Sequence, residues 1–285
     1  MYILRRSKEL YVQSSDYRSD SENGRYARIV YDALKSQKKF DNFKMNKTYR
    51  GILEHVTKEQ GSSYLEILHA RNDQILENGL STVLKSDSIG NPQKYSYQGI
   101  TIPLSPTTLR YLKVASDLKL LFGRKLGCVA EIGGGYGGQA LVNDQLLDVR
   151  HVRIFDLPIV NKLINRYLNS YLFHGAYETT FINNESENKY DLAISNYAFS
   201  ELPETVQKIY IKKVLSLSSR GYLTMNSGLG GKRSSGKLSI GELRDLLPEF
   251  EVFEENPLTS QFNYIICWGH NKERSKIDFI QKSIL

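Results

Sequence analysis

Between residues 128 and 147 an apolar run, CVAEI, meets five glycines in six positions, GGGYGG, and then a segment with helical spacing of apolar residues. Glycine has no Cβ, so it enters left-handed backbone readily and lets a ligand come close to the main chain. A strand that ends in glycines and opens a helix also offers backbone amides and the positive end of a helix dipole to that ligand. The alternative is structural, because a tight turn and close helix-to-strand packing use the same residues. Either way the stretch demands a strand, a turn and a helix in that order.

The rest of the chain supplies the partners such a unit needs. Residues 106–122 open on a proline suited to a first helical turn and repeat Leu109, Leu112, Ala115, Leu118 and Phe122 at helical spacing. Strands are expected at 128–132, 152–155, 179–182, 192–195 and 221–225, with helices at 139–147, from Pro158 onward and at 203–217. Strands separated by helices of this length imply a parallel sheet covered on both faces. Residues 251–254 and 263–268 read as two strands with only a loop between them, which suggests an antiparallel pair closing the sheet. Before residue 105 the pattern is helical, at 22–36 and 62–84, and it ends in a turn-rich connector. The glycines, prolines and tyrosines of that connector (Tyr95 and Tyr97, with Tyr111 just beyond) suit either a lid over a substrate or a plain linker. The expected division is a mainly helical region or substrate lid at 1–104 and an α/β domain at 105–285.

The ligand is narrowed by two acids. Gly133, Gly135 and Gly138 satisfy the dinucleotide fingerprint, while Gly133, Gly135 and Gly137 behind Glu131 fit the acid-x-G-x-G-x-G turn that takes S-adenosylmethionine. Glu131 stands where dinucleotide folds usually keep an apolar residue, and a carboxylate there suits the ammonium of a methyl donor. Asp156 ends the second strand 25 positions later, where a carboxylate can accept from both ribose hydroxyls. That requirement is common to NAD, so it points to a nucleoside without naming one.

Charge and cysteines add little. A formal charge of +7 favours acidic partners, but the basic residues are scattered and the densest patches, Arg5-Arg6, Lys38-Lys39 and Lys232-Arg233, lack interleaved aromatics. Nucleic acid is therefore not expected as a partner. Cys128 and Cys267 lie in apolar runs and read as reduced thiols. Neither a membrane span nor a secretory signal is supported, so the cytoplasm is the expected compartment, with peripheral membrane association left open.

The segments EIGGGYGGQA, DLP, SNYAFSELPE and RGYLTMNSG, with GNP and PLSPTTLRY upstream, resemble the bacterial sugar O-methyltransferase family, a branch of the class I S-adenosylmethionine-dependent enzymes. The similarity spans roughly residues 90–270. It implies a Rossmann-like class I methyltransferase fold, a mostly parallel seven-stranded sheet with a C-terminal antiparallel pair. It implies S-adenosyl-L-methionine as cofactor and a saccharide acceptor of a surface polysaccharide such as O-antigen or capsule, carried on a nucleotide, a lipid or a polymer. By position, the resemblance puts Gly133, Gly135 and Gly137 against the methionine part, Glu131 near its ammonium, Asp156 on the ribose and Leu157 against the adenine. Asn183 or Asn184 would meet the adenine edge, and Asn196 would flank the methyl-transfer centre. Tyr136 either walls the acceptor pocket or fills a gap beneath the turn.

A sugar hydroxyl is a poor nucleophile, so a base that takes its proton as the bond forms contributes roughly a hundredfold or more. Glu201, just past the fourth strand, is the first candidate, with helix capping as its alternative role. His174, in YLFHG, is the second; His270, Glu254 and Glu255 are further possibilities, and His55 and His69 have no visible partner. No clustered Asp and His spacing marks a metal site. Competing readings are a nucleic-acid or small-molecule methyltransferase, weakened by NYAF standing where a D/N-P-P-Y/F segment is common, a catalytically silent cofactor-binding subunit, and a dehydrogenase.

Overall fold

The computed structural model describes residues 24–184, 188–226 and 237–279; the Arg5-Arg6 and Lys232-Arg233 pairs and the end of RGYLTMNSG lie outside them. At its centre is a seven-stranded sheet, β1 (Lys125–Ile132), β2 (Asp148–Phe155), β3 (Ala176–Thr180), β4 (Leu192–Asn196), β5 (Gly221–Met225), β6 (Glu251–Glu254) and β7 (Tyr264–Trp268). Their order is β3-β2-β1-β4-β5-β7-β6, with β7 antiparallel to both β5 and β6 and every other pairing parallel. This is the Rossmann-like sheet with an antiparallel C-terminal pair expected from the sequence.

Among the described residues six helices precede β1: α1 (Arg25–Lys35), α2 (Gln37–Phe40), α3 (Lys47–Ile52), α4 (Lys58–Arg71), α5 (Ile75–Ser86) and α6 (Pro106–Phe122). The apolar stripe expected at 62–84 is split, because Asn72 and Gln74 both adopt left-handed backbone (φ 46° and 66°) and end one helix before the next begins. Helix α4 starts in a capping box, Thr57 accepting from the Gln60 amide and Gln60 from that of Thr57, so two otherwise orphaned amides are satisfied. Helix α6 has Pro106 in its first turn, and the Asp87 carboxylate accepts from the Ser105 amide (2.8 Å) and the Thr108 hydroxyl (2.6 Å), a negative group at a helix N-terminus.

Between the strands lie α7 (Gly138–Leu146), α8 (Pro158–Leu168), α9 (Ala198–Glu201), α10 (Glu204–Lys213) and α11 (Ile240–Leu246), and α12 (Lys272–Asp278) follows β7. Two buried clusters flank the sheet. One joins Val129, Ile154, Leu192 and Tyr222 to α1 and α3–α8, and the other joins Ala130, Ile132, Ala193 and Leu223 to α10 and α11. Successive residues of β1 alternate between these clusters, as a two-period strand buried on both faces must. Both cysteines are free. Among the described residues no helix is long and apolar enough to cross a membrane.

Candidate functional site

Where the strand order reverses between β1 and β4, open parallel sheets leave a crevice at their carboxyl ends. A cavity of about 360 Å³ occupies that place here. Its floor comes from the ends of β1 to β5: Ile132 and Gly133, Phe155 with Asp156 and Leu157, Phe181 and Ile182, Asn196 and Tyr197, and Asn226. Glu201, Thr259 and Asn263 close one side, and Tyr26, Ile52, Leu53 and His55 of the N-terminal helices roof it.

The glycine turn is shaped by its neighbours. Gly133 has φ 77°, and a Cβ there would run into that of Ala198, so α9 can cross the turn only because the side chain is missing. Gly137, at φ 94°, serves as the N-cap of α7. Several of the turn's amides are committed within the protein. That of Gly133 donates to the Phe155 carbonyl (2.8 Å), that of Gly137 to Gly134 (2.8 Å), and that of Gly135 to Oδ2 of Asp156 (3.0 Å). Gly133, Gly135 and Gly137 therefore contribute room and turn geometry rather than free donors.

Asp156 also accepts from the Leu157 amide through Oδ1 (2.8 Å) and from the Gly134 amide, so it fixes the turn while its carboxylate keeps some acceptor capacity at the cavity it lines. Burial raises its pKa to about 6, against the opposing pull of these amide hydrogen bonds. Glu131 lies beneath the turn, 3% exposed, with Oε2 lacking any hydrogen-bond partner. Burial, and then the charge of Asp156, push its carboxyl up to about 8. A buried, unsatisfied carboxyl that shuns its own charge is a place where a cation would be welcome.

Asn196 donates through Nδ2 to Gln139 (3.3 Å) and leaves Oδ1 without a partner. Next to it Tyr197 has φ 67°, a strained conformation for a bulky side chain, and its hydroxyl is held by Glu255 and by Thr259 (3.1 Å). Glu201, in the last turn of α9, accepts from the Asn226 side chain (3.2 Å) at the cavity wall.

Other expected residues stand elsewhere. His174 lies before β3, at the amino-terminal edge of the sheet, where its amide donates to Asp144 (2.8 Å); the full width of the sheet separates that edge from the cavity, which removes it as a base. His270 follows β7 at the same far edge and pairs with Glu251 (2.9 Å). Tyr136 does not wall the cavity: it is 1% exposed and packs edge-on against Phe43 and Tyr167, with the Lys44 ammonium 4.0 Å from its ring centroid. The tyrosine fills the gap under the turn and ties it to the N-terminal helices. Asn183 does not end the third strand; β3 stops at Thr180, and Asn183 and Asn184 are exposed in a following 3-10 turn whose Ile182 faces the cavity instead. Nor does the connector at 88–105 cover the site. Tyr95 pairs with Leu104 through two backbone hydrogen bonds (2.9 and 3.0 Å), Tyr97 is buried, and no residue of the segment lines the cavity.

Two lining residues, His55 and Arg110, were given no role from the sequence, although Arg110 lies within PLSPTTLRY. His55 reaches the roof from the loop after α3, and its Nδ1 stands 3.1 Å from the Ile52 carbonyl, which makes Nδ1 the donor and leaves Nε2 as an acceptor. Burial and then the charge of Arg110 lower its pKa, and the ring's exposure at the mouth limits the effect. Arg110, from α6, is the second. Only the tertiary fold brings residues 55 and 110 to the ends of β2 and β4.

No family model and no curated protein matches the chain. Solved structures do. Several are methyltransferases. The N-methyltransferase NodS from Bradyrhizobium japonicum WM9 is 15% identical over 55% of this chain and 92% of its own, with a TM-score of 0.42. Magnesium protoporphyrin IX methyltransferase (ChlM) from Synechocystis PCC 6803, solved with bound SAM, is 14% identical over 72% of this chain and 95% of its own, at 0.40. A SAM dependent methyltransferase from Aquifex aeolicus is 15% identical over 56% and 96%, also at 0.40. At these values the likeness carries no functional weight, and the reading of the site rests on its own geometry.

Proposed function

We propose that the chain is an S-adenosylmethionine-dependent O-methyltransferase that acts on a sugar hydroxyl, in the assembly of a bacterial surface polysaccharide and in the cytoplasm. The observation that carries the reading is the cavity that joins the side-chain-free turn and the acid at the end of β2 to a second group of polar side chains past β4, with the buried orphan carboxyl of Glu131 in the strand just before that turn. The residues fit the cofactor: Glu131 offers a counter-charge for an ammonium, Asp156 has lone pairs left for ribose hydroxyls, and Leu157, Phe181 and Ile182 make an apolar slot for adenine. When bound, the cofactor supplies a methyl group activated by its sulfonium.

The chain's own task is alignment and proton removal. The acceptor oxygen would lie between Asn196, Tyr197 and Glu201, and Glu201 takes its proton as the new bond forms. His55 supports a second assignment of the base, because its acceptor nitrogen stays neutral near pH 7 and it lines the same cavity. Residues 105–285 form the catalytic domain in this reading, and the helices of residues 1–104 cover its cofactor.

Titration calorimetry with S-adenosylhomocysteine tests the cofactor directly, and absence of binding overturns the proposal. Transfer of labelled methyl to a panel of nucleotide-linked sugars and lipid-linked glycans tests the acceptor class. Glu201→Gln should lower kcat by a hundredfold or so with little change in cofactor affinity. If His55→Asn does so and Glu201→Gln does not, the base is the histidine.

A further inference from the structure

Arg110 sits in the seventeen-residue helix α6 and is 7% exposed. Such burial of a guanidinium normally comes with a carboxylate partner. Here it forms no ion pair among the described residues, and its Nε has no hydrogen-bond acceptor. Its neighbours are rings, Tyr111 at 5.6 Å and Tyr197 at 5.5 Å from guanidinium carbon to centroid. Glu54 lies within electrostatic reach without an ion-pair contact; burial raises the pKa of that carboxyl, and the charges of Lys44 and Arg110 oppose the rise. Lys113, one turn further along α6, is committed to Asp117 at 2.7 Å. Arg110 is therefore a desolvated cation with no ion-pair contact among the described residues, and it lines the cavity already described.

Its position within that cavity matters. Arg110 shares a wall with Asn196 and Tyr197, and these three also line a narrow slot with Tyr64, Thr224 and Glu255. No glycine of the turn borders that slot, nor does Asp156. The guanidinium thus belongs to the β4–β5 end of the site, away from the acid at the end of β2.

We propose that Arg110 binds an anionic oxygen group, carboxylate or phosphate, on the acceptor, so that the substrate is an acidic sugar such as a uronate or a sugar phosphate rather than a neutral one. A planar fork of donors held rigid between two rings suits two oxygens of one such group, and a desolvated charge is worth more to an anion than an exposed one. The net charge of +7 favours the approach of an acidic molecule. The inference rests on the cofactor reading above.

The test uses the whole chain, as wild type, Arg110→Met and Arg110→Lys, with D-glucuronate, glucose 1-phosphate and methyl glucoside as probes. Affinity for S-adenosylhomocysteine is measured first; if the wild type does not bind it, the cofactor reading falls and this inference with it. With that ligand saturating, at least one anionic probe should bind the wild type tenfold or more tighter than methyl glucoside. Arg110→Met should erase the preference, Arg110→Lys should keep part of it, and both should hold S-adenosylhomocysteine within about threefold of wild type. Arg110→Met should also melt no lower than wild type, since it removes an unpaired buried charge, whereas a structural arginine would be missed. No preference for either anionic probe overturns the proposal, as does a preference that survives in Arg110→Met. A tenfold loss of S-adenosylhomocysteine affinity in Arg110→Met, with 5′-methylthioadenosine unaffected, assigns the arginine to the cofactor's own carboxylate and overturns it too.

Discussion

Glu131 carries its carboxyl where water does not reach, and the cost is legible as a pH dependence. Its pKa rises from an ordinary 4.5 to about 8 in the folded chain. Between those values the folded protein holds a proton that the unfolded chain has released, so stability falls as pH rises through the window. Glu131→Gln removes that slope, and denaturant unfolding at pH 5 and pH 8 should show the variant ahead at pH 8 by on the order of a few kcal/mol, with little difference at pH 5. The same carboxyl should report the cofactor. If an ammonium docks beside it, binding of S-adenosylhomocysteine at pH 7 expels roughly one proton, measured by calorimetry in two buffers of different ionisation enthalpy. Gly133 is strained in the opposite sense, since it tolerates its conformation only by lacking a side chain. Gly133→Ala adds a Cβ at φ 77° against Ala198. It should cost about 1–3 kcal/mol of stability in thermal or denaturant melts, from the backbone alone, and abolish cofactor binding through displacement of α9.

Helices α4 and α6 meet over a buried charge cluster that welds the N-terminal region to the sheet. Asp117 accepts from Arg71 (2.7 Å) and Lys113 (2.7 Å), and Tyr222 of β5 adds its hydroxyl. Burial alone would raise the Asp117 carboxyl; Lys113 and Arg71 outweigh it and hold it below its ordinary value. Its contribution is therefore present at neutral pH and is lost as pH falls through the lowered folded value. Asp117→Asn removes the buried carboxylate that Arg71 and Lys113 share and should lower stability by about 3–5 kcal/mol in denaturant melts, while replacing all three charged groups by apolar residues recovers much of that loss. Helix α6 itself was fully legible in the sequence, from Pro106 to Phe122, because a proline start, a regular apolar stripe and a terminal glycine all act locally. So was β5, Gly221–Met225. The split between α4 and α5 was missed because it depends on two non-glycine residues in left-handed backbone, which periodicity does not register. Part of the cavity lining was legible for the same reason that α6 was: Gly133, Asp156 and Asn196 sit at strand ends, Glu201 follows β4 in the short helix α9, and strand ends follow from apolar runs. His174 was misjudged because proximity to a strand in sequence does not say which end of the strand is meant. His55, Arg110 and Tyr26 reach the cavity by packing across 50 residues or more, and although Arg110 stands within PLSPTTLRY, no local pattern tells that its side chain lines the cavity.

At the scale of the molecule, the turn is enclosed from two sides. Below it, Tyr136 joins Phe43, Tyr49 and Tyr26 in a chain of ring contacts 4.9–5.8 Å apart. Above it, the Leu53 methyl carbons would stand 3.5 and 3.6 Å from a Cβ at Gly135. The N-terminal helices are therefore packed on the glycine turn itself rather than appended to the α/β half, and a ligand in the cavity is bounded by both. A ligand that binds only the folded state stabilises whatever it must find intact. Hydrogen exchange with and without saturating S-adenosylhomocysteine should accordingly show added protection in two separate stretches, residues 133–141 at the turn and the start of α7, and residues 47–57 at the roof. Protection confined to the first stretch would mean that the sheet holds the ligand alone and that the helices are a scaffold. Protection in both would mean that α1 and α3 have to part before cofactor can enter or leave, so that strengthening the aromatic seam around Tyr136 slows exchange of cofactor more than it changes affinity.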